Sequence, residues 1–335
     1  MPVRDDLRVD PDRIEEAVRR ADLDELLRVV DACCEACDWS ALATLQARCE
    51  RAHETGRQLW PVASHAAYRL ALEAPAPFAA SVLREGTGLF APGPLPEVAA
   101  QHHSWAELAP HVPPGPAAVV AAHERVVRGE DVSRRLPAGP DVLEMPSRLA
   151  DWEPEYALAE YHAHHADFPA PPMPRLESAR VHDPDERRPP DEAVAALLES
   201  TRVWTTESNG RSDAVLVSGD AYGAIAALGV HEIGIARVEP AMAIAHLAWA
   251  ASSGGAHGRR PGAAAGRFGA WWVAGALTDR LDDWPPDPDE LGAAIARLRW
   301  FLWDADEPAT GWRLHVALDD PATGRAWAVA AVDAT

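Results

Sequence analysis

The chain has 335 residues, enough for two domains that each bury a core, and its 47% hydrophobic and 25% charged residues are those of an ordinary globular protein. A formal net charge of −21 argues against non-specific binding to nucleic acid or to anionic membrane surfaces, since both attract positive potential. Lysine is absent, so all 31 Lys/Arg positions are arginine, which excludes a Walker-A phosphate loop, a protein-kinase core and any lysine Schiff base.

The first thirty residues carry Arg4, Asp5, Asp6, Arg8 and Asp10 where an export signal would be basic and then apolar. No uncharged apolar run reaches the roughly eighteen residues of a membrane span. The four cysteines crowd into residues 33–49, with nothing elsewhere to pair with them. The cytoplasm is the expected compartment.

Asp10-Pro11 sets a cap and a proline at a helix start. Asp22 then caps Leu23–Cys37, whose apolar residues recur at spacings of three and four. Ser40 opens Ala41–Glu54, Trp60–Ala74 stops at Pro75, and Phe78–Glu85 ends at a glycine turn. Shorter helical patterns follow at Leu95–His103, Ser104–Ala109 and Pro116–Arg128. Together they predict a helical scaffold-like domain over residues 1–128, solenoid-like or an irregular bundle, without a named repeat.

Prolines interrupt every periodic run in residues 129–190, which read as a proline-rich connector holding one helix, Glu155–His165. An α+β domain with an antiparallel sheet is expected over residues 191–335. Val203–Thr206 and Ala214–Val217 read as a hairpin about Ser208-Asn209-Gly210. Helices are expected at Asp191–Ser200, Ala221–Leu228, from Pro240 to about Ala251, and at Ala263–Leu281. Leu298–Trp303, Trp312–Leu318 and Ala326–Val332 alternate as strands, and Pro-Ala-Thr-Gly stands between them at 308–311 and 321–324. That pattern predicts a closing three-stranded meander, within a sheet of about five strands. The fold class is therefore α+β.

Several residue groups invite a chemical reading. Cys34, Cys37, Cys49 and His53 have zinc-like spacings, but the helices place Cys49 about 7 Å of axial rise beyond the others, so buried core thiols are expected. His162, His164 and His165 could hold a metal with Glu160 or Asp167, and His162 and His165 would share a helical face while His164 points away, but a solvated helix is the expected reading. Most of the thirteen tryptophans fall at core positions, although Trp271 and Trp272 are adjacent on a helix and cannot share a face.

The densest stretch is Ala248–Trp272. Gly254, Gly255 and Gly258 would expose backbone N–H groups beside His257, Arg259, Arg260 and Arg267, the chemistry of an anion or partner site. Gly258, Gly262, Gly266, Ala270 and Ala274 recur every four residues, which also suits close helix packing. Glu207, Ser208, Asn209 and Arg211 form a second polar cluster, read first as a turn. No catalytic residue, metal or cofactor is expected from these patterns. The leading expectation is a non-enzymatic protein-interaction or scaffold protein with an unidentified protein partner, docked on the Arg259–Arg267 region. The alternative is an enzyme or sensor for a small anionic ligand, with Arg259 and Arg260 as clamp and His257 as acid or base.

The blocks W-T-T-E-S-N-G-R, S-G-G-A-H-G-R-R and D-D-W-P-P-D-P-D-E-L resemble an uncharacterised protein family of high-GC actinobacteria. The resemblance implies a bacterial cytoplasmic protein and carries no activity. The N-terminal half is similar to helical-repeat scaffolds in general architecture only.

Overall fold

A computed structural model describes residues 10–137, 140–305 and 311–334, with the side chains of His53 and Glu54 left aside. The chain forms two compact units. One comprises the helical segment to Val126, with Glu130–Val142 and Glu160–Asp167; the other comprises Val127–Gly129, Leu143–Ala159 and everything from Phe168 onward. Segment 129–190 thus contributes to both.

In the helical unit the elements are α1 (Pro11–Arg20), α2 (Leu23–Ala36), α3 (Trp39–Glu54), α4 (Trp60–Glu73), α5 (Ala76–Ser81), α6 (Leu95–Ala100), α7 (Trp105–Leu108) and α8 (Pro116–Val127). Asp10, Asp22 and Ser104 cap α1, α2 and α7 by accepting from first-turn N–H groups, as their residue types favour. Helix α4 is buried almost all round, from Val62 to Leu72, and forms the centre of this unit. Cys33, Cys34 and Cys49 lie in its core, and burial pushes each thiol up to about 12.

The segment expected to be one helix, Glu155–His165, is not helical. It is extended and ends in a small hairpin of β1 (Glu160–Tyr161) and β2 (Ala166–Asp167). Tertiary bonds override the local pattern: Tyr161 is 2% exposed, its hydroxyl donates to Glu97, and its backbone is bracketed on both sides by the Gln101 amide.

The second unit is built on one antiparallel sheet in the order β3-β6-β7-β8-β9-β5-β4. In chain order it contains β3 (Glu177–Arg180), β4 (Glu186–Arg188), α9 (Glu192–Glu199), α10 (Arg202–Thr206), β5 (Arg211–Ser218), α11 (Ala221–Ala227), β6 (Glu232–Val238), α12 (Pro240–Ser252), α13 (Ala263–Leu277), α14 (Pro288–Ile295), β7 (Arg299–Asp304), β8 (Trp312–Asp320) and β9 (Arg325–Asp333). Strands β7, β8 and β9 are the meander, with Phe301 opposite Ala317 and Val316 opposite Val329. Of the first Pro-Ala-Thr-Gly copy, Pro308–Thr310 lies outside the described residues.

The two edge strands are close in sequence yet stand at opposite ends of the sheet. From Arg180 to Glu186 the chain reaches at most about 20 Å, whereas a flat sheet of this width would separate its edges by about 29 Å. The sheet must therefore curl. Its inner side closes on α11 with a core of Val217, Ile225, Ile235, Phe301 and Trp303. The connecting residues pass over that helix, where a Cβ on Gly223 would stand 3.1 Å from the Pro184 Cα. The other side carries the main core, in which α9, α12, α13 and α14 cover Trp300, Leu302, Val316, Leu318 and Trp327.

Two further differences from the sequence reading appear here. Val203–Thr206 is helix α10 rather than a strand, and β5 pairs instead with β9 and β4. The helical turn points Trp204 inward, where it is fully buried and donates to Ser253 Oγ at 2.9 Å. The sheet also has seven strands rather than about five, because β6 and the two proline-flanked edge strands join it.

Candidate functional site

The Gly-rich stretch and the second polar cluster come together in the α+β unit. The Ala256 N–H donates to Asp333 Oδ2 at 2.6 Å, the His257 N–H to Ser208 Oγ at 3.1 Å, and the Arg259 N–H to Glu207 Oε2 at 3.1 Å. Gly255 donates to Ser253 Oγ and Gly258 to the Gly254 carbonyl. The amides from Gly255 to Arg259 are therefore already answered by oxygens of the chain itself, two of them carboxylates. Gly254, Gly255 and Gly258 serve packing: a Cβ on Gly254 or Gly255 would collide with the Gly258 carbonyl or the Asp333 carboxylate, and one on Gly258 would approach Val203 Cγ1 to 2.8 Å.

The candidate cations part company. Arg267 is 1% exposed and pairs with Glu153, whose side chain is 0% exposed, at 2.7 and 2.8 Å. It also donates to the carbonyls of Pro146 and Arg148 and lies over the Trp271 ring. Burial works to raise the Glu153 carboxyl, but the Arg267 guanidinium outweighs it and holds the group below the usual carboxylate range. Arg267 is thus a strut of the fold and not a docking group. Arg260 lies over the Phe168 ring at 5.0 Å. His257, Arg259, Asn209 and Arg211 are exposed, and the Arg259 side chain forms no ion pair with the described residues.

The small-residue stripe is a helix contact. A Cβ on Gly266 would meet the Ala248 carbonyl and stand 2.6 Å from the Ser252 Cβ, so α12 and α13 touch backbone to backbone there. Trp271 turns into the core, and Trp272 turns out into a cleft.

This cleft holds about 440 Å³ between α9, α10, α12 and α13 and adjoins the Gly-rich loop through Ser253 and Pro261. Its walls are chiefly apolar: Ala196, Val203, Ala251, Ala265, Phe268 and Trp272. Phe268 stacks on Trp272, and both pack against Trp284, which makes one wall stiff. At the rim Arg202 and Glu199 pair at 2.6 Å. The sequence announced the loop beside this cleft, but not the cleft, which needs four helices to exist.

A smaller cavity of about 180 Å³ lies near the end of β7 and β8 and is bordered by His246, Trp249, Trp303, Asp304, Arg313 and His315. Trp303 and His315 stack at 4.3 Å, and Asp304 and Arg313 pair at 3.1 Å. His246, Trp249 and Trp303 are 6%, 7% and 1% exposed, yet His246 Nε2 and both indole N–H groups lack a hydrogen-bond partner among the described residues. Of the buried indoles elsewhere, those of Trp204, Trp300 and Trp327 reach an acceptor, whereas that of Trp271 has none among the described residues. The Pro172 backbone lies against the His246 ring and favours its charged form. Burial keeps this imidazole below the ordinary histidine range, so its Nε2 is a neutral acceptor. Nothing in the local sequence marked these residues, since each reads as a core position of its own element.

A family model described as a family of unknown function (DUF6183) matches residues 24–335. No curated protein matches the chain, and no solved structure does. Among the described residues, no helix is long and apolar enough to cross a membrane.

Proposed function

The chain belongs to that family of unknown function, and from its geometry we propose that it is a non-enzymatic, cytoplasmic interaction protein whose α+β unit takes an apolar side chain of a partner protein into the cleft beside the Gly-rich loop. The observation that carries this reading is the cleft itself: about 440 Å³ of apolar, aromatic-walled space with a polar rim, which is the anatomy of an anchor pocket. Four unpaired cysteines agree with a reducing compartment. Exposed Arg259 on the adjoining loop suits a carboxylate flanking the partner's anchor residue.

Filling the cleft tests the proposal. Ala265→Trp, on the cleft wall, should leave the fold intact and abolish the fluorescence of an apolar dye such as anilinonaphthalene sulfonate. Partners captured by the wild type should be lost from the variant. A set of captured proteins that is the same for both would overturn the reading.

A second reading rests on the orphaned polar atoms around His246. It moves the small-ligand alternative from the Gly-rich loop, whose amides are taken, to this cavity. About 180 Å³ would hold about six waters at roughly 30 Å³ each, or one small flat molecule offering a donor to His246 Nε2 and an acceptor to the indoles. Titration with nicotinamide or uracil, followed by tryptophan fluorescence, tests it. A response unchanged in Trp249→Phe would sink it.

A further inference from the structure

The histidine-rich segment of the helical unit is neither the solvated helix that the sequence suggested nor part of any site described above. His162 and His165 stand at the two ends of the β1–β2 turn, closed by the His162 N–H donating to the His165 carbonyl at 2.9 Å. Asp167 follows on β2. A helix would also have put His162 and His165 on one face, but the turn brings Asp167 to both of them. His162 Nε2 is 3.3 Å from Asp167 Oδ2 and His165 Nε2 is 3.7 Å from the same oxygen, with the two rings 4.3 Å apart and 17° from parallel. All three ligand atoms lie within 4.8 Å of one another.

These spacings have a chemical meaning. A tetrahedral ion with nitrogen and oxygen ligands at about 2.0–2.1 Å places neighbouring ligand atoms about 3.4 Å apart. Both histidine-to-aspartate separations are already close to that edge, whereas the two stacked rings must turn out of their parallel arrangement until both in-plane lone pairs meet at the ion. The backbone under the ligands is held beforehand: the Tyr68 hydroxyl donates to the His162 carbonyl at 2.5 Å, and Tyr161 is fixed by Glu97 and Gln101. Ordering the turn thus costs little when an ion arrives.

We propose that His162, His165 and Asp167 form a binding site for a divalent transition ion of the imidazole-preferring class, zinc being its representative, with water in the fourth position. Three protein ligands and an open place leave the ion accessible to a fourth donor, and the ligand side chains are 45%, 64% and 63% exposed. A neighbouring trio, Asp31, His65 and His164, also lies within 4.8 Å, with His164 4.0 Å from Asp31, but does not share this role. Asp31 is engaged by the Arg69 guanidinium at 2.6 Å, and a fixed positive charge there opposes a second cation.

The neighbouring histidine supplies the control. Zinc titration of the full chain by calorimetry, with cobalt absorption to read the geometry, should show one ion at this site. His165→Ala and Asp167→Asn should each weaken binding at least about tenfold, whereas His164→Ala, in the same turn, should leave it within about twofold. Circular dichroism of these surface variants confirms that each is folded. Equal uptake by wild type and His165→Ala, as the cysteines alone would give, overturns the proposal. So does the absence of uptake, or loss of binding in His164→Ala but not in His165→Ala.

Discussion

In the Gly-rich loop the N–H groups of Gly255, Ala256, His257, Gly258 and Arg259 all end on oxygens of the same chain. Around His246 the situation is reversed, with two indole N–H groups and an imidazole nitrogen that have no partner among the described residues. Both regions belong to the α+β unit, and both are dense in polar groups. What separates them is closure of the donors, since the loop's one orphaned atom among the described residues is an acceptor, Asp333 Oδ1. A buried donor that is answered stabilises the fold, and one left open costs about 1–3 kcal/mol that the fold must offset elsewhere. Glycine and arginine density drew attention to the first region, yet the open chemistry lies in the second.

The sharpest test of closure is Arg267. Replacing it with methionine leaves the Glu153 carboxylate buried without its partner and is expected to destabilise by about 3–5 kcal/mol in urea unfolding. Arg259→Ala, from the same stretch, should melt with the wild type. Gly266→Leu comes next, at about 1–3 kcal/mol or more, because its side chain must part α12 from α13. A Gly266→Leu protein as stable as the wild type would remove the packing account of the stripe.

Acidification probes the open region. His246 is held neutral by burial, so its folded-state pKa lies below its unfolded value. The stability linked to it is therefore present above about pH 6.5 and is lost as pH falls through that value toward the folded pKa, by at most about 1.4 kcal/mol per pH unit. His65 is shifted the same way by burial and adds to the trend. His246→Gln should flatten the pH dependence of the melting temperature, and an unchanged slope would show that His246 is not the group responsible. The smallest effect is the most diagnostic. Trp204→Phe loses a bond to Ser253, whereas Trp303→Phe removes an N–H that has none. Both lose the same volume, so thermal melts should differ by about 1 kcal/mol in favour of Trp303→Phe.

Local signals carried much of the fold. Caps at Asp10, Asp22 and Asp191, and the alternation of β7 to β9, are short-range properties that survive burial. Strand β6 was legible too, with Ile233 and Ile235 inward about Gly234, but its seven residues sit between two helices and drew no attention. Val203–Thr206 misled because β-branched residues flank a tryptophan that only a helical turn buries. The hairpin at His162 was decided by Glu97, Gln101 and Tyr68, between 60 and 94 positions away, beyond the reach of any periodicity. The same holds for the candidate sites. The partnership of Glu207 with Arg259 is a turn meeting a loop across 52 positions, and the sequence supplied both members without the pairing.

The stretch from Glu177 to Arg188 carries both rims of the curled sheet. A sheet ordinarily ends in two independent margins, each able to recruit an extended segment from another molecule. Here the two margins are joined by a short strap, and each presents charged side chains: Glu177 and Arg180 on one, Glu186, Arg187 and Arg188 on the other. Neither rim is able to peel far without drawing on the other, so growth of fibrils by strand addition is resisted at both ends by one piece of chain. Pro184, one of the prolines that made residues 129–190 look like a passive linker, also stiffens the strap. Its length bounds how far the two rims can part, while the core about Ile225 and Phe301 fills the space between them.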